Sequence, residues 1–516
     1  MKFTFGGGIN ELNDIAISPE EAISGQNFEL GLGNTKLRRR APFDLLDTAT
    51  NTSEIHGIHQ LITRAGVKTT LVAAGTDMYT WDGAAFVDVG NIDADSELHH
   101  IEWDLDETII MVDREQQDRV WEWDGTTLSA LTTGLATTHF YAKYGLVSNN
   151  RMMFANVADG NGSPTSKNPH MLVVSALEDR ESYDTAARAG DSSFTTGNEA
   201  FYLLTPDLQP INGLIKFKRS VIISTEGDQL FELIGDDSTN YKFEPFYAGS
   251  GAIGNDSFVN AGDDVFYVRQ GGVIESLRGT VAYGDVGTDD VSLPIRETVK
   301  NLQGARIVYD QTNQKVLFWT GSEVLVLFKD LIRGDRSPWS IYKTAHVSNF
   351  NTKAAVYMEL PDSTDKTVLF GDDSGNIYDL NGIGITGDAG SADILTQRKF
   401  PLQEFSYEDF LAGRVFYRRQ GECELSMTFE WGDEGSRSDL VVPIKGRTGA
   451  SNVNYFGGGP SPKYFGDGDY FGEGDPVGNP YSRGFSAVGK GTSVFATLSI
   501  DTVNEFAIDY IESPDE

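Results

Sequence analysis

The chain has 516 residues and carries 41 Lys and Arg against 76 Asp and Glu, a formal charge of −35. Such acidity disfavours tight gripping of nucleic-acid phosphates, since Arg38-Arg39-Arg40 is the one conspicuous basic cluster. One cysteine, Cys423, excludes an intrachain disulfide scaffold, no Cys/His spacing matches a structural zinc site, and 11% aromatic content argues for a folded chain. No run of about 18 apolar residues occurs, and Met1 to Gly7 lack a signal-peptide core, so the expectation is a soluble protein made in a cytosol with no membrane-spanning segment.

In chain order, Ser18 followed by Pro19-Glu20-Glu21-Ala22-Ile23 reads as the cap and first turn of one short helix. From about Leu61 one pattern repeats: an apolar β-rich run, a Gly/Asp/Asn turn, and a second aromatic or β-branched run. The clearest unit is Thr70 to Ala74 with Met78 to Trp81, ending at Asp82-Gly83, and Trp-Asp-Gly recurs 42 residues later at Trp123-Asp124-Gly125. The others pair Ile109–Val112 with Val120–Trp123, Arg151–Phe154 with Met171–Val174, Val221–Ser224 with Asp228–Glu232, Val265–Val268 with Gly271–Ile274, Lys315–Trp319 with Val324–Phe328, and Val368–Gly371 with Gly375–Tyr378. Seven strand pairs at this period, without helical patterning, predict an all-β fold, a β-propeller of about seven blades within a range of six to eight. An array of β-sandwiches with coincidental spacing is the alternative.

After about Gly390 longer alternating runs predict an additional C-terminal antiparallel β domain. The expected division is therefore 1–60 as an opening segment with docking strands, 61–390 as the propeller, and 391–516 as the C-terminal domain. Within the last, residues 446–491 are rich in Gly, Asp and aromatics, with Tyr-Phe-Gly three times over, and predict a long projecting loop. Its candidate contact or gate residues are Tyr455, Phe456, Tyr464, Phe465, Asp467, Asp469, Tyr470, Phe471 and Glu473.

Motifs for chemistry are weak. Gly484, Gly489 and Lys490 match part of a phosphate-binding loop, but Gly491 stands where Ser or Thr would hold magnesium. The acids of the 467–475 stretch lack EF-hand spacing, and His56, His59, His99 and His100 lack a third ligand nearby in sequence, so no metal and no cofactor are expected. With 76 acidic residues, paired carboxylates carry no specificity. Trp81, Trp121, Trp123, Trp319, Trp339 and Trp431 suit either sugar stacking or blade packing.

The opening carries the most specific pattern: Gly6-Gly7-Gly8-Ile9-Asn10, then Ile17-Ser18-Pro19-Glu20-Glu21-Ala22, then Gln26-Asn27-Phe28-Glu29-Leu30 and the basic Lys36-Leu37-Arg38-Arg39-Arg40-Ala41-Pro42-Phe43. It resembles the start of the tail nozzle proteins of short-tailed bacteriophages, also called tail tubular protein B or tail hub, and the propeller-like units resemble that family in style. Arg38-Arg39-Arg40-Ala41-Pro42 departs from the family's Arg-x-Arg-Pro-Gly ending. The resemblance implies a virion structural protein and not an enzyme: a ring, in the family a hexamer, below the portal and its adaptor ring, in contact with tail fibre or needle proteins. Arg38, Arg39 and Arg40 would belong to a docking segment, the location would be the virion tail after synthesis in the host cytoplasm, and double-stranded DNA would be transported cargo. Acidity suits cargo that must pass without being held. A carbohydrate-binding or carbohydrate-degrading propeller, and an acidic propeller acting as an interaction module, stay open as alternatives.

Overall fold

The structure is a computed structural model that describes the chain apart from its first residue, some single positions, and segments 4–6, 12–20, 32–33, 132–138, 161–165, 184–197, 278–288, 303–304, 333–336, 345–352, 383–393, 405–408, 419–422, 432–435, 445–480, 490–492, 503–506 and 513–516. The described residues form two compact units. One comprises Phe43–Lys329 and Val347–Gly382; the other comprises Met1–Pro42, Asp330–His346 and Ile383–Glu516.

The first unit is a β-propeller. Sheet 1 is Ile55–Ile62, Lys68–Ala74, Asp77–Trp81 and Phe86–Asn91; sheet 2 is Leu98–Trp103, Thr108–Asp113, Trp121–Trp123 and Leu128–Ala130. Sheet 3 is His139–Ser148, Arg151–Gly160, Ser166–Val174 and Phe201–Leu204; sheet 4 is Ile211–Phe217, Ser220–Thr225, Gln229–Ile234 and Lys242–Ala248. Sheet 5 is Phe258–Asn260, Val265–Val268, Ile274–Ser276 and Asp289–Asp290, and sheet 6 brings Arg306–Asp310, Lys315–Trp319 and Val324–Phe328 to this unit. Sheet 7 takes Ala355–Glu359, Lys366–Gly371 and Asn376–Asp379, and its fourth strand is Asp44–Thr48 from the other end of the unit. Among the described residues the strand pairings within these sheets are antiparallel. The first strand of each sheet packs on the first strand of the next, and Ala355–Glu359 packs on Ile55–Ile62, so the ring closes.

The middle strands explain why. Thr108–Asp113, Lys315–Trp319 and Val324–Phe328 are buried at every position, so both faces of their sheets need cover. Neighbouring sheets supply it. Leu61, Leu71 and Met78 of sheet 1 pack with Ile109, Met111 and Trp123 of sheet 2, and further clusters join sheets 2 and 3, 3 and 4, 4 and 5, and 7 and 1. Each fully buried Leu, Ile or Phe contributes about 1.5–3 kcal/mol. Closure is made by the strand Asp44–Thr48 paired with Asn376–Asp379, and Trp81 of sheet 1 donates its indole N–H to Asp47 at 3.0 Å. The two Trp-Asp-Gly tripeptides are one device used twice. Each Asp accepts backbone N–H groups of the turn before the fourth strand, Asp82 from Ala84 and Ala85, Asp124 from Thr126 and Thr127.

The second unit holds two antiparallel sheets. One is ordered Ser24–Gln26, Ile394–Glu404, Ser493–Thr502, Cys423–Trp431, Ser436–Ile444; the other is ordered Phe28–Gly31, Asn34–Arg39, Ala507–Glu512, Asp409–Arg418, Tyr481–Gly489, with Lys2–Phe3 beside Ala507–Glu512. Leu425, Met427, Phe429, Leu498 and Ile500 share one buried face of the first sheet.

Three expectations change. The boundaries move: the opening 42 residues belong with the C-terminal strands, and the propeller begins at Phe43, because sheet 7 is completed by the chain's early strand. The helix expected at 19–23 is not formed at its described end, where Ala22 makes a parallel bridge to Ile9 and Ser24–Gln26 is a strand. The projecting loop does not reach 491, since Tyr481–Gly489 pairs along Asp409–Arg418.

Gly272, in the turn before Ile274–Ser276, has φ +78, and an added Cβ would stand 1.8 Å from the Val299 carbonyl oxygen. Gly272→Ala should therefore cost about 2–4 kcal/mol in urea unfolding, from left-handed strain plus the clash.

Candidate functional site

The first strands line the propeller axis, and their polar side chains converge there. Glu97 leads into the first strand of sheet 2, whose His99 and His100 follow; Asp256 sits in the turn Asn255–Ser257 that leads into sheet 5; Arg306 starts sheet 6. Arg114 follows the second strand of sheet 2, where its backbone N–H donates to the Glu97 carbonyl. These groups form a chain. His99 Nδ1 accepts from Arg114 Nη2 at 2.9 Å, Arg114 pairs with Asp256, Asp256 lies 3.4 Å from Arg306, and Arg306 pairs with Glu97. Sheet 2 stands three places from sheet 5 in one direction and three from sheet 6 in the other, so these pairs can form only across the bore.

The chain keeps some water contact, with the four charged side chains 9–23% exposed although protein surrounds them. Burial raises the Glu97 carboxyl to about 7 against the opposing pull of Arg306. Burial would also raise Asp256, but Arg114 and then Arg306 outweigh it and hold that carboxyl down to about 2. The negative charge of Asp256 also raises Glu97, so the two carboxyls titrate as a pair. Beside them His59 of sheet 1 stacks on His100, with ring centroids 4.9 Å apart and 3° between planes. Burial keeps His59 neutral, down to about 4, and burial followed by Arg114 takes His99 down to about 3. His100 lies well below the ordinary value through burial and then His59. His56, at a register shift early in the same strand, bonds the Gly75 carbonyl at 2.5 Å and is lowered by burial. Four of the seven histidines are thus gathered by the fold, where their sequence positions looked like background. Strand periodicity separates His56 from His59, but nothing in the sequence says which strands face the axis. Among the described residues no group of three His, Cys, Asp or Glu is placed to hold a metal ion.

None of the described residues predicted as site residues belongs to this cluster. Tyr455, Phe456, Tyr464, Phe465, Asp467, Asp469, Tyr470, Phe471 and Glu473 lie outside the described residues. In the basic triplet Arg38 is exposed, but Arg39 and Arg40 are buried. Arg40 donates to Asn27 Oδ1 at 2.9 Å and to the carbonyls of Ala41 and Lys343 at 2.8 and 3.0 Å, with its guanidinium over the Tyr342 ring. Asn27, at φ 58, also accepts from Lys343 N–H at 2.7 Å, so the pair ties the opening segment to Trp339–Tyr342 inside one unit. Gly8 belongs to the same joint: a Cβ there would stand 2.2 Å from Trp339 N. Asn10 N–H donates to Ala22 and its side chain to Glu21, which brings the first two parts of the opening pattern together. The phosphate-loop likeness fails, because Gly484 and Gly489 lie in a paired strand, opposite Arg414 and Asp409. Trp81, Trp121, Trp123, Trp319 and Trp339 are buried packing residues.

No family model matches the chain, and no curated protein matches it. Among solved structures it is similar to the computationally designed Ika8 protein, at 11% identity over 66% of this chain and 99% of that one with a TM-score of 0.35. It is also similar to YCF48 from Cyanidioschyzon merolae, at 9% identity over 66% and 98% with a TM-score of 0.38, and to Raptor from Chaetomium thermophilum, at 9% over 66% and 29% with a TM-score of 0.40. Likeness at this level says nothing about chemistry, and the fold rests on the strand pairing itself.

Arg40→Met should destabilise the second unit by about 3 kcal/mol, because it strips charged donors from the buried Asn27 oxygen and from two part-buried carbonyls. Urea unfolding followed by hydrogen exchange of Ser24–Gly31 reads this, and an unchanged midpoint would show that these bonds add nothing to stability.

Proposed function

We propose that the chain is a structural virion protein, a ring-forming tail nozzle of a short-tailed bacteriophage that sits below the portal and adaptor, retains double-stranded DNA and conducts it during ejection. The observation that carries this reading is the opening pattern from Gly6 to Phe43, joined to a propeller of the style the same family uses. The axial charge chain adds a physical condition. A bore crossed by Arg–carboxylate pairs has no room for a duplex, so a DNA channel would have to be enclosed by several copies of the chain. Heterologous contacts that close into a ring provide such a channel. The propeller unit carries 22 Lys and Arg against 48 Asp and Glu, so most of the surplus negative charge is on it, and a wall of that sign repels DNA phosphates.

The convergence of Glu97 and Asp256 favours a second reading, a hydrolytic propeller, since two carboxyls with divergent proton affinities are an acid and base arrangement. Their partners argue against it. Glycosidase carboxyls stand about 5–9.5 Å apart with room for sugar or water between them, whereas Arg306 stands against both of these, paired with Glu97 and 3.4 Å from Asp256, and Asp256 is also paired with Arg114.

Negative-stain microscopy with light scattering tests the proposal. Closed rings of several copies, six in the family's pattern, are expected for the purified chain or after addition to tail-less particles, and a monomer under both conditions would overturn it.

A further inference from the structure

The axial cluster contains one joint whose protonation state is dictated by geometry. Arg114 offers only donors, so the His99 Nδ1 that receives its Nη2 must be an unprotonated acceptor, and the ring proton belongs on Nε2. The backbone of Gly145 in sheet 3 lies beside the ring and favours its protonated form, against burial and Arg114. Uptake of a second proton would remove the acceptor and set a cation directly against Arg114. We propose that His99 is a proton-operated joint: once protonated, it ceases to accept from Arg114, and sheet 2 loosens its hold on sheet 5 across the bore. The joint is independent of the virion role proposed above.

The groups around it favour this outcome. From its own strand come Glu97 and His100, from the following turn Arg114, from sheet 3 Tyr144, from the start of sheet 5 Asp256, from sheet 6 Arg306, and from sheet 1 His59 and His56, while Glu226 acts more remotely through Tyr144. Asp256 attracts the new cation, but Arg114, which is paired with it, repels the ring more strongly. Burial and then Arg114 hold His99 at about 3 in the folded protein, below the ordinary 6.5. The unfolded or opened chain therefore binds the proton first. Stability from this group is complete above about pH 6.5 and declines as pH falls toward 3, at tenfold in the opening constant per pH unit. His59 and His100 act in the same direction. Glu97, raised to about 7, opposes them with one proton as pH falls from 7 toward 4.5.

The test compares the full chain with His99→Asn, whose Oδ1 stands where Nδ1 does and is an acceptor at every pH, by urea unfolding between pH 6 and pH 5. The wild type should lose stability with a slope steeper by one proton, so its unfolding constant should rise about tenfold more over that interval than that of His99→Asn. Equal slopes would overturn the proposal. Selective 15N-histidine NMR of the wild type needs no variant. It should show His99 protonated on Nε2 only at pH 7, and a ring protonated on Nδ1 would overturn the proposal as well.

Discussion

A sheet whose middle strands are apolar on both faces has no stable existence alone, and the propeller is the consequence. Lys315–Trp319 and Val324–Phe328 are buried at every residue, so each sheet requires a neighbour on either side, and the last sheet requires the first. That closure falls to Asp44–Thr48, a strand more than three hundred residues from its partner Asn376–Asp379. The ring cannot be finished until the chain has nearly all folded, a topology of high contact order. Everything at the axis depends on it, because only a closed ring brings sheets 2, 5 and 6 to face one another.

The acidity of the chain has more than one origin. Many aspartates are turn residues: Asp113 accepts from Glu115, Gln117 and Asp118, Asp237 from Thr239, and Asp372 from Ser374 and Asn376. Hydrogen bonding from Thr126 and Thr127 holds Asp124 below the usual carboxylate range, and bonding from Thr239 does the same for Asp237. A propeller needs a tight turn at every strand junction, and an ionised Asp is a good acceptor for turn N–H groups. Part of the −35 is therefore fold chemistry. What is left over on the outer surface bears on solubility and on any DNA that passes.

The parts of this fold that were legible in the sequence are the buried ones. All seven strand pairs recognised there are the second and third strands of the seven sheets, since continuous apolar runs mark strands covered on both faces. The first strands are harder to see, because an axis tolerates His and Glu among the apolar residues, as in Leu98–Trp103. The fourth strands are short and mixed, as in Leu128–Ala130. Closure by Asp44–Thr48 was invisible because five unremarkable residues acquire their role only from a partner at the far end of the unit. The charge chain was illegible for the same reason: Glu97, Asp256 and Arg306 are ordinary in their local sequence and become a site only when the ring closes. Arg40 misled in the opposite sense, since a basic triplet reads as surface until its carbonyl partners are known.

The charge chain also limits what the propeller can do. An axis bridged by paired ions is a support and not a conduit, and removing one partner of such a pair strands the other in a poorly hydrated place. A double-mutant cycle between Glu97→Gln and Arg306→Met, read by urea unfolding at pH 8, measures the bridge directly. The account predicts a coupling of about 0.5–3 kcal/mol between these two residues, which lie in sheets that are not neighbours in the ring. Strictly additive effects would contradict it and leave the bore open.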